Sequence, residues 1–153
     1  MPKIKGHNME STLLIILIGL TGGVAVGLQG PLASMISQRL GILESAFIVH
    51  IGGALIALVP LLFMSGGKLG HWKELPWYAL FAGTFGLVVI SAISFMIPRV
   101  GVAAAIIAVV AGQLLVSTII DQFGWLGAMS RPMDPTRAIG LAVVLLGVWL
   151  TVK

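Results

Sequence analysis

Charged residues divide this sequence into five long apolar runs, each close to the length that crosses a bilayer. An α-helix needs about 20 predominantly apolar residues to span the hydrocarbon core. The fifth run has only 15 residues between Arg137 and Lys153, but both basic side chains can extend to the interfaces and make up the length. The pattern predicts one all-α integral membrane domain over residues 1–153, with transmembrane helices at about 12–38, 45–66, 76–97, 100–120 and 135–152.

Proline, glycine and capping residues mark the ends of these helices. Gly41, which follows a basic last turn, predicts the end of the first helix. Pro98-Arg99 leaves room for only a very short turn, so the third and fourth spans are predicted to form an antiparallel hairpin. Asp134-Pro135 has the pattern of an N-cap followed by proline at the first helical position, which predicts the start of the fifth helix.

Small residues recur at every fourth position on two of the predicted helices. Such faces let another helix approach closely, either as general packing surfaces or as a specific seam between two chains. The first helix also contains Pro31, which removes a backbone hydrogen bond and predicts a kink. The predicted packing residues are Gly19, Gly23 and Gly27 on the first helix and Ala104, Ala108 and Gly112 on the fourth.

The composition assigns the chain to the membrane. Hydrophobic residues make up 58% of the 153 positions and charged residues only 9%, against about 25% in soluble domains. The basic residues behind the net charge of +4 lie at the ends of apolar runs, which is typical of loops at lipid headgroups and not of a nucleic-acid-binding stripe. There is no cysteine, and His7, His50 and His71 form no ligand-spaced cluster, so neither a metal site nor a cofactor is expected.

Five spans place the two ends of the sequence on opposite membrane faces. The face of the N-terminus would carry six basic residues and the other face three, which predicts that the N-terminus is cytoplasmic. The bias is modest, so insertion in both orientations stays open. The two groups are Lys3, Lys5, Lys68, Lys73, Arg131 and Arg137 on the first face, and Arg39, Arg99 and Lys153 on the second.

Polar side chains form a line along one face of the fourth helix. Gln113, Ser117 and Asp121 are spaced by four, and Asp121 would lie about 12 Å along the axis from Gln113. An unpaired carboxamide in hydrocarbon is costly, so this face is expected to meet protein or water and not lipid. The alternative for Asp121 is a helix-end charge paired with a loop arginine such as Arg131.

Three further polar residues lie within the apolar spans and are candidates to line the same path. Gln29 precedes the proline of the first helix, His50 lies inside the second, and Ser91 belongs to a hydroxyl-bearing face of the third. His50 either donates to a neighbouring carbonyl or faces a cavity as a protonatable group. The candidate substrate-binding residues are therefore Gln113, Ser117, Asp121, Gln29, Ser91 and His50.

Several short motifs in this sequence are typical of one family. They are the run Ile97-Pro98-Arg99-Val100-Gly101-Val102-Ala103, then Gly112-Gln113, Ser117, Ile120-Asp121 and Phe123-Gly124-Trp125, and later Arg137, Gly140 and Gly147-Val148. With them the chain resembles the YdcZ-like family of small five-helix bacterial proteins in the drug/metabolite transporter superfamily. Gln29 and the segment Gln38-Arg39-Leu40 also fit the family's first helix. His50 departs from the pattern, so no family role is carried over to it.

The resemblance implies half of a transporter. Larger members of the superfamily have ten helices in two inverted repeats of five, and two copies of a five-helix chain inserted in opposite directions make the same arrangement. It therefore implies a secondary transporter for small molecules in the bacterial inner membrane, acting as an antiparallel homodimer. Thr21 and Gly22 occupy the middle of the first helix, where a multidrug-cation exporter would have a carboxylate, so that type of exchange site is missing.

Other classes of function are less well supported by the residues or remain alternatives. No nucleophile–base pair or metal cluster can be recognised, which argues against an enzyme. A channel formed by a dimer and a non-transporting structural subunit stay open as alternatives. Saturable counterflow in liposomes would identify a transporter, whereas a linear electrical current would identify a channel.

Overall fold

The computed structural model describes residues 9–64 and 66–152, and within them all regular structure is helical. Three short 3-10 segments, Leu69–Glu74, Trp77–Phe81 and Trp125–Gly127, lie in the connections. Five segments are long and apolar enough to cross a membrane, which confirms the all-α membrane fold. The α-helices are α1 (Met9–Leu40), α2 (Ile42–Phe63), α3 (Ala82–Val100), α4 (Val102–Phe123) and α5 (Pro135–Val152).

The first four helices form two hairpins that are built in the same way. α1 and α2 are joined at Gly41 and α3 and α4 at Gly101, with φ angles of 120° and 83° that side-chain-bearing residues rarely adopt. Each glycine N–H donates to the carbonyl four residues earlier at 3.0 Å. An arginine stands two positions before each glycine, Arg39 in one hairpin and Arg99 in the other. The hairpins are therefore related by a shift of 60 positions in the sequence.

The position of the second turn corrects the expectation from the sequence. Pro98 and Arg99 lie in the last turn of α3, and the chain reverses at Gly101 instead. Pro98 removes one backbone donor and crowds one carbonyl, and α3 nevertheless continues through it to Val100. The reversal needs a residue with positive φ, and Gly101 is the residue of this segment that has it.

The buried core lies mostly beside these two turns. α1 packs against α2 and α3, α3 packs against α4, and α5 packs mainly against α4. Residues 12–26 of α1 and 51–60 of α2 are exposed, so the bundle is open in the half that lies away from the turns. The buried residues are Gly30, Ala33, Ser34, Ser45, Ala46, Ile90, Ile93, Ser94, Ala104, Ala105 and Ala111.

Gly30 is a point of close approach between helices that the sequence pattern did not single out. A Cβ atom at Gly30 would lie 3.1 Å from Cδ1 of Ile106 and 3.2 Å from Cγ2 of Ile93, so α1, α3 and α4 meet where it has no side chain. The glycines predicted to pack leave open space within the chain, and their role as a seam between chains stays a prediction. A Cβ atom would meet nothing within 4 Å at Gly19, Gly23, Gly27 and Gly112.

Two buried serines differ in their hydrogen bonding and should differ in their contribution to stability. Ser45 donates to the carbonyl of Ala33 at 2.7 Å, whereas the hydroxyl of Ser94 has no partner among the described residues. We expect Ser45→Ala to lower the free energy of unfolding by about 1 kcal/mol, because a buried hydrogen bond is lost. Ser94→Ala should be neutral or stabilising, because it removes an unpaired hydroxyl. Thermal unfolding in detergent measures both effects. Equal losses of unfolding free energy would contradict the assignment of a stabilising hydrogen bond to Ser45 and of an unpaired hydroxyl to Ser94.

Candidate functional site

A cavity of about 220 Å³ lies between α1, α2, α3 and α4. Three polar side chains, Gln29, His50 and Gln113, line it, and the rest of its wall is apolar. No Asp, Glu, Lys or Arg is among the residues that line it. We call this space the inner cavity, and its other lining residues are Val26, Gly30, Ala33, Gly86, Val89, Ile90, Ile93 and Val109.

The two carboxamides of the inner cavity project from helix segments that the core holds in place. Gln29 is next to Gly30, which is packed against isoleucines of α3 and α4. Gln113 is two residues beyond Ala111, which is buried. Both carboxamides are themselves exposed in the single chain, so they are available to a ligand or to a second chain.

His50 lies both beside a backbone carbonyl and at the inner cavity, the two positions that the sequence left as alternatives. Its Nδ1 lies 2.7 Å from the carbonyl oxygen of Ala46. A carbonyl can only accept, so Nδ1 carries the proton and donates, and in the neutral ring Nε2 is left as an acceptor. Nε2 lies against Gly86, another residue of the inner cavity, and a Cβ atom added at Gly86 would overlap it. One nitrogen therefore anchors the ring, and the other lies at the cavity wall.

Ser117 and Asp121 belong to a second site and not to the inner cavity. They line an outer groove of about 430 Å³ between α4 and α5, together with Arg137. Positions four apart on a helix are displaced by about 40° around its axis, so a line from Gln113 to Asp121 turns by about 80°. The predicted path is thus divided between two faces of α4. Ser91 is half-buried on α3 and lines neither the inner cavity nor the outer groove.

Asp121 is paired with an arginine, but not with the one expected. Its Oδ2 accepts from Nη2 of Arg137 at 3.3 Å, and Arg137 also donates through Nη1 to the carbonyl of Arg131 at 2.9 Å. Arg131 instead donates its backbone N–H to the carbonyl of Asp121 at 2.7 Å. The N-cap at the start of α5 is confirmed, since Asp134 accepts from the N–H of Arg137 at 2.9 Å. These bonds fasten the connection between α4 and α5 to the end of α4.

The ion pair between Asp121 and Arg137 is half-exposed, with 36% and 38% of the two side chains accessible, so we expect it to contribute about 1 kcal/mol or less. Asp121→Asn and Arg137→Gln should each lower the free energy of unfolding by that amount. The double variant should lose less than the sum of the two, because the single changes remove the same interaction. A double-mutant cycle from thermal unfolding in detergent measures this, and strictly additive losses would show that the pair contributes nothing.

A comparison with protein families identifies the family of this chain. Residues 14–150, which extend from α1 into α5, match the model of a family described as "Putative inner membrane exporter, YdcZ". The chain belongs to this family. The match confirms the resemblance seen in the sequence motifs, and it makes the protein a multi-pass protein of the inner membrane with a role in transport. No match was found among curated proteins or among solved structures.

For a member of this exporter family, the inner cavity is the better candidate for a substrate site than the outer groove. It has polar groups from three different helices, whereas the two charged groups of the outer groove, Asp121 and Arg137, are held by each other and by the loop. Gly30 and Gly86 were missed as residues that shape the cavity. Both stand among many other glycines in the spans, and only a neighbouring side chain at contact distance distinguishes them.

Proposed function

We propose that this protein is a secondary transporter that exports small molecules and that the inner cavity is its substrate site. The observation that carries the proposal is the convergence of Gln29, His50 and Gln113 on a cavity whose other walls are apolar. Small-molecule sites combine apolar walls with a few convergent polar groups. Polar side chains at membrane depth are costly unless protein, water or a ligand satisfies them, which favours a functional role for this group.

We also propose that the working unit is an antiparallel homodimer. The inner cavity of one chain, at about 220 Å³, is smaller than the roughly 300–1,000 Å³ of most ligand sites. A second chain with opposite insertion would cover the open half of the bundle and supply a second set of the same polar groups. The glycines of α1 that have no neighbour among the described residues offer a face on which it can pack.

Selective efflux tests the transport function. Liposomes containing the purified protein are loaded with a small-molecule extract of bacterial cells, and the compounds that leave are identified by mass spectrometry. We expect a few compounds to leave faster than from protein-free liposomes, with a rate that saturates. Unselective release accompanied by a steady current across a planar bilayer would identify a channel instead. If neither selective release nor a current is observed, the remaining alternative is a structural subunit.

Cysteine labelling tests the antiparallel arrangement. The chain has no cysteine, so a single introduced thiol is the only one to react. Gly70 is exposed between α2 and α3, and an added Cβ would have no neighbour within 4 Å in the described part of the chain, so Gly70→Cys should not disturb the fold. In intact cells, a membrane-impermeant maleimide should label about half of the copies if insertion is dual. Complete labelling or no labelling would contradict the antiparallel dimer. The transport function would then be judged from the efflux assay alone.

A further inference from the structure

Resting on this proposed function, we infer that Nε2 of His50 is the proton-exchange site of the transporter. We infer also that the exported molecule is neutral and carries a hydroxyl or N–H group that donates to this nitrogen. Proton and substrate would then occupy one position in turn. The inference depends on three features of the inner cavity, which are the anchored ring of His50, the absence of any other ionisable group in the wall, and the missing side chain at Gly86.

The anchored ring directs protonation to one nitrogen. Nδ1 already holds a proton and donates it to the carbonyl of Ala46 at 2.7 Å, so an additional proton can bind only at the lone pair of Nε2. Histidine is the side chain that ordinarily changes charge between about pH 5 and pH 8. Protonation converts Nε2 from an acceptor into a donor and adds one positive charge to the inner cavity. The bond to Ala46 is kept in both states, so the ring need not move.

The lining of the inner cavity favours a neutral molecule over an ion. α1 contributes Gln29, α4 contributes Gln113, and α3 contributes no ionisable group to the wall. On α2 itself, Glu44 lies in the first turn, six residues before His50 in the sequence, and does not line the inner cavity. A cation or anion would therefore lack an ionic partner when His50 is neutral, which is costly at membrane depth. Two carboxamides and one ring nitrogen can instead satisfy the polar groups of a neutral molecule.

Mutual exclusion at Nε2 couples the proton to the substrate. A substrate O–H or N–H donates to Nε2 only while that nitrogen is unprotonated, so the arriving proton removes the acceptor and displaces the substrate. On the outer side a proton binds and the substrate leaves; on the inner side the proton leaves and the next substrate binds. No covalent bond of the substrate changes, and at each His50 one positive charge enters for each neutral molecule that leaves that site. An inward proton gradient therefore drives export.

Gly86 keeps this nitrogen accessible and provides a variant with a matched control. A Cβ atom at Gly86 would occupy the space beside Nε2, so Gly86→Ala should block both proton and substrate without introducing a charge. Gly83 lies one turn earlier on α3, and a Cβ atom there meets nothing within 4 Å. Alanine is the stronger helix former at both positions, so the two variants differ mainly in what they place beside His50.

Proton-driven accumulation tests the coupling. In liposomes held at zero membrane potential, a compound found by the efflux assay should reach a concentration ratio of about tenfold for each unit of pH difference. His50→Gln and Gly86→Ala should show no gradient driven by pH, whereas Gly83→Ala should accumulate the compound like the original protein. A His50→Gln protein that builds the same pH-driven gradient would overturn the inference. Equal loss of the pH-driven gradient in Gly86→Ala and Gly83→Ala would also overturn the inference.

Nitrogen NMR tests the proton site without any substrate. In a His7→Gln, His71→Gln background, His50 is the only histidine of the sequence and can be labelled with ¹⁵N. As the pH is lowered from 9 to 5, the Nε2 signal should move from an unprotonated to a protonated shift while Nδ1 keeps its proton. A ring that does not titrate, or that titrates at Nδ1, would overturn the inference whatever the transport result. If Nε2 titrates but no compound leaves the liposomes, the transport function fails and the coupling role fails with it.

Discussion

Gln113→Leu is expected to reduce selective efflux at least about tenfold while the protein still folds and forms dimers. The change removes a polar group from membrane depth at similar volume, so it should not destabilise the helix. The substrate, however, loses one of the three polar side chains of the inner cavity, and a site built to hydrogen-bond a ligand discriminates strongly when a partner is missing. The liposome efflux assay measures the loss, and size-exclusion chromatography in detergent checks the assembly.

Gln38→Leu is the matched control for this change. Gln38 is also a glutamine of a membrane-spanning helix, but it bonds to the hydroxyl of Ser34 at 3.2 Å and does not line the inner cavity. We expect efflux by the Gln38→Leu protein to stay near that of the original protein. If Gln113→Leu shifts only the stability, by about 1 kcal/mol or less, and efflux is unchanged, Gln113 merely bridges helices and the substrate site lies elsewhere.

Gly30→Leu is expected to destabilise the folded chain, whereas Gly23→Leu should affect only the association of chains. At Gly30 a new side chain would begin 3.1–3.2 Å from two isoleucines that are themselves packed, so α1 would have to separate from α3 and α4. Overpacking of this kind typically costs about 1–3 kcal/mol or more. At Gly23 an added Cβ atom meets open space, so only a second chain could be displaced.

The two glycine variants are distinguished by different measurements. Thermal unfolding in detergent should show a lower midpoint for Gly30→Leu and an unchanged midpoint for monomeric Gly23→Leu. Crosslinking should show a lower dimer fraction for Gly23→Leu, with Leu17→Ala, an exposed change on the same helix, as the control that keeps the dimer. If crosslinking finds equal dimer fractions for Gly23→Leu and Leu17→Ala, the glycine face of α1 is not a seam between chains.

The polar candidates show how far a residue pattern can predict a site in a membrane bundle. The spacing correctly placed Gln113, Ser117 and Asp121 on one helix, but it treated them as a single line. The helix turns slowly away from a repeat of four, so Gln113 faces the inner cavity and Asp121 faces α5. The sequence could not place His50 at one of its two predicted positions, because Nδ1 lies beside a backbone carbonyl and Nε2 lies against Gly86 at the inner cavity.

The repetition of the two hairpins is visible in the sequence. Gly41 and Gly101 share an arginine two positions earlier, and both are followed by a branched aliphatic residue. The recurrence of this short pattern at a fixed distance indicates a second turn at Gly101 and not at Pro98-Arg99. The same shift relates Ser34 and Ser94, which lie seven residues before each turn and are both buried.

The sequence by itself determined the number of helices, the membrane environment, the helix cap at Asp134 and the family. These depend on local quantities, namely the length of apolar runs, the few charges that interrupt them, and the chemistry of single turns. Only the tertiary structure decided that Gly30 and Gly86 shape the inner cavity, that Arg137 pairs with Asp121, and which polar groups share a cavity. The physical reason is that lipid and protein interior are equally apolar, so hydrophobicity does not tell which face of a membrane helix points inward.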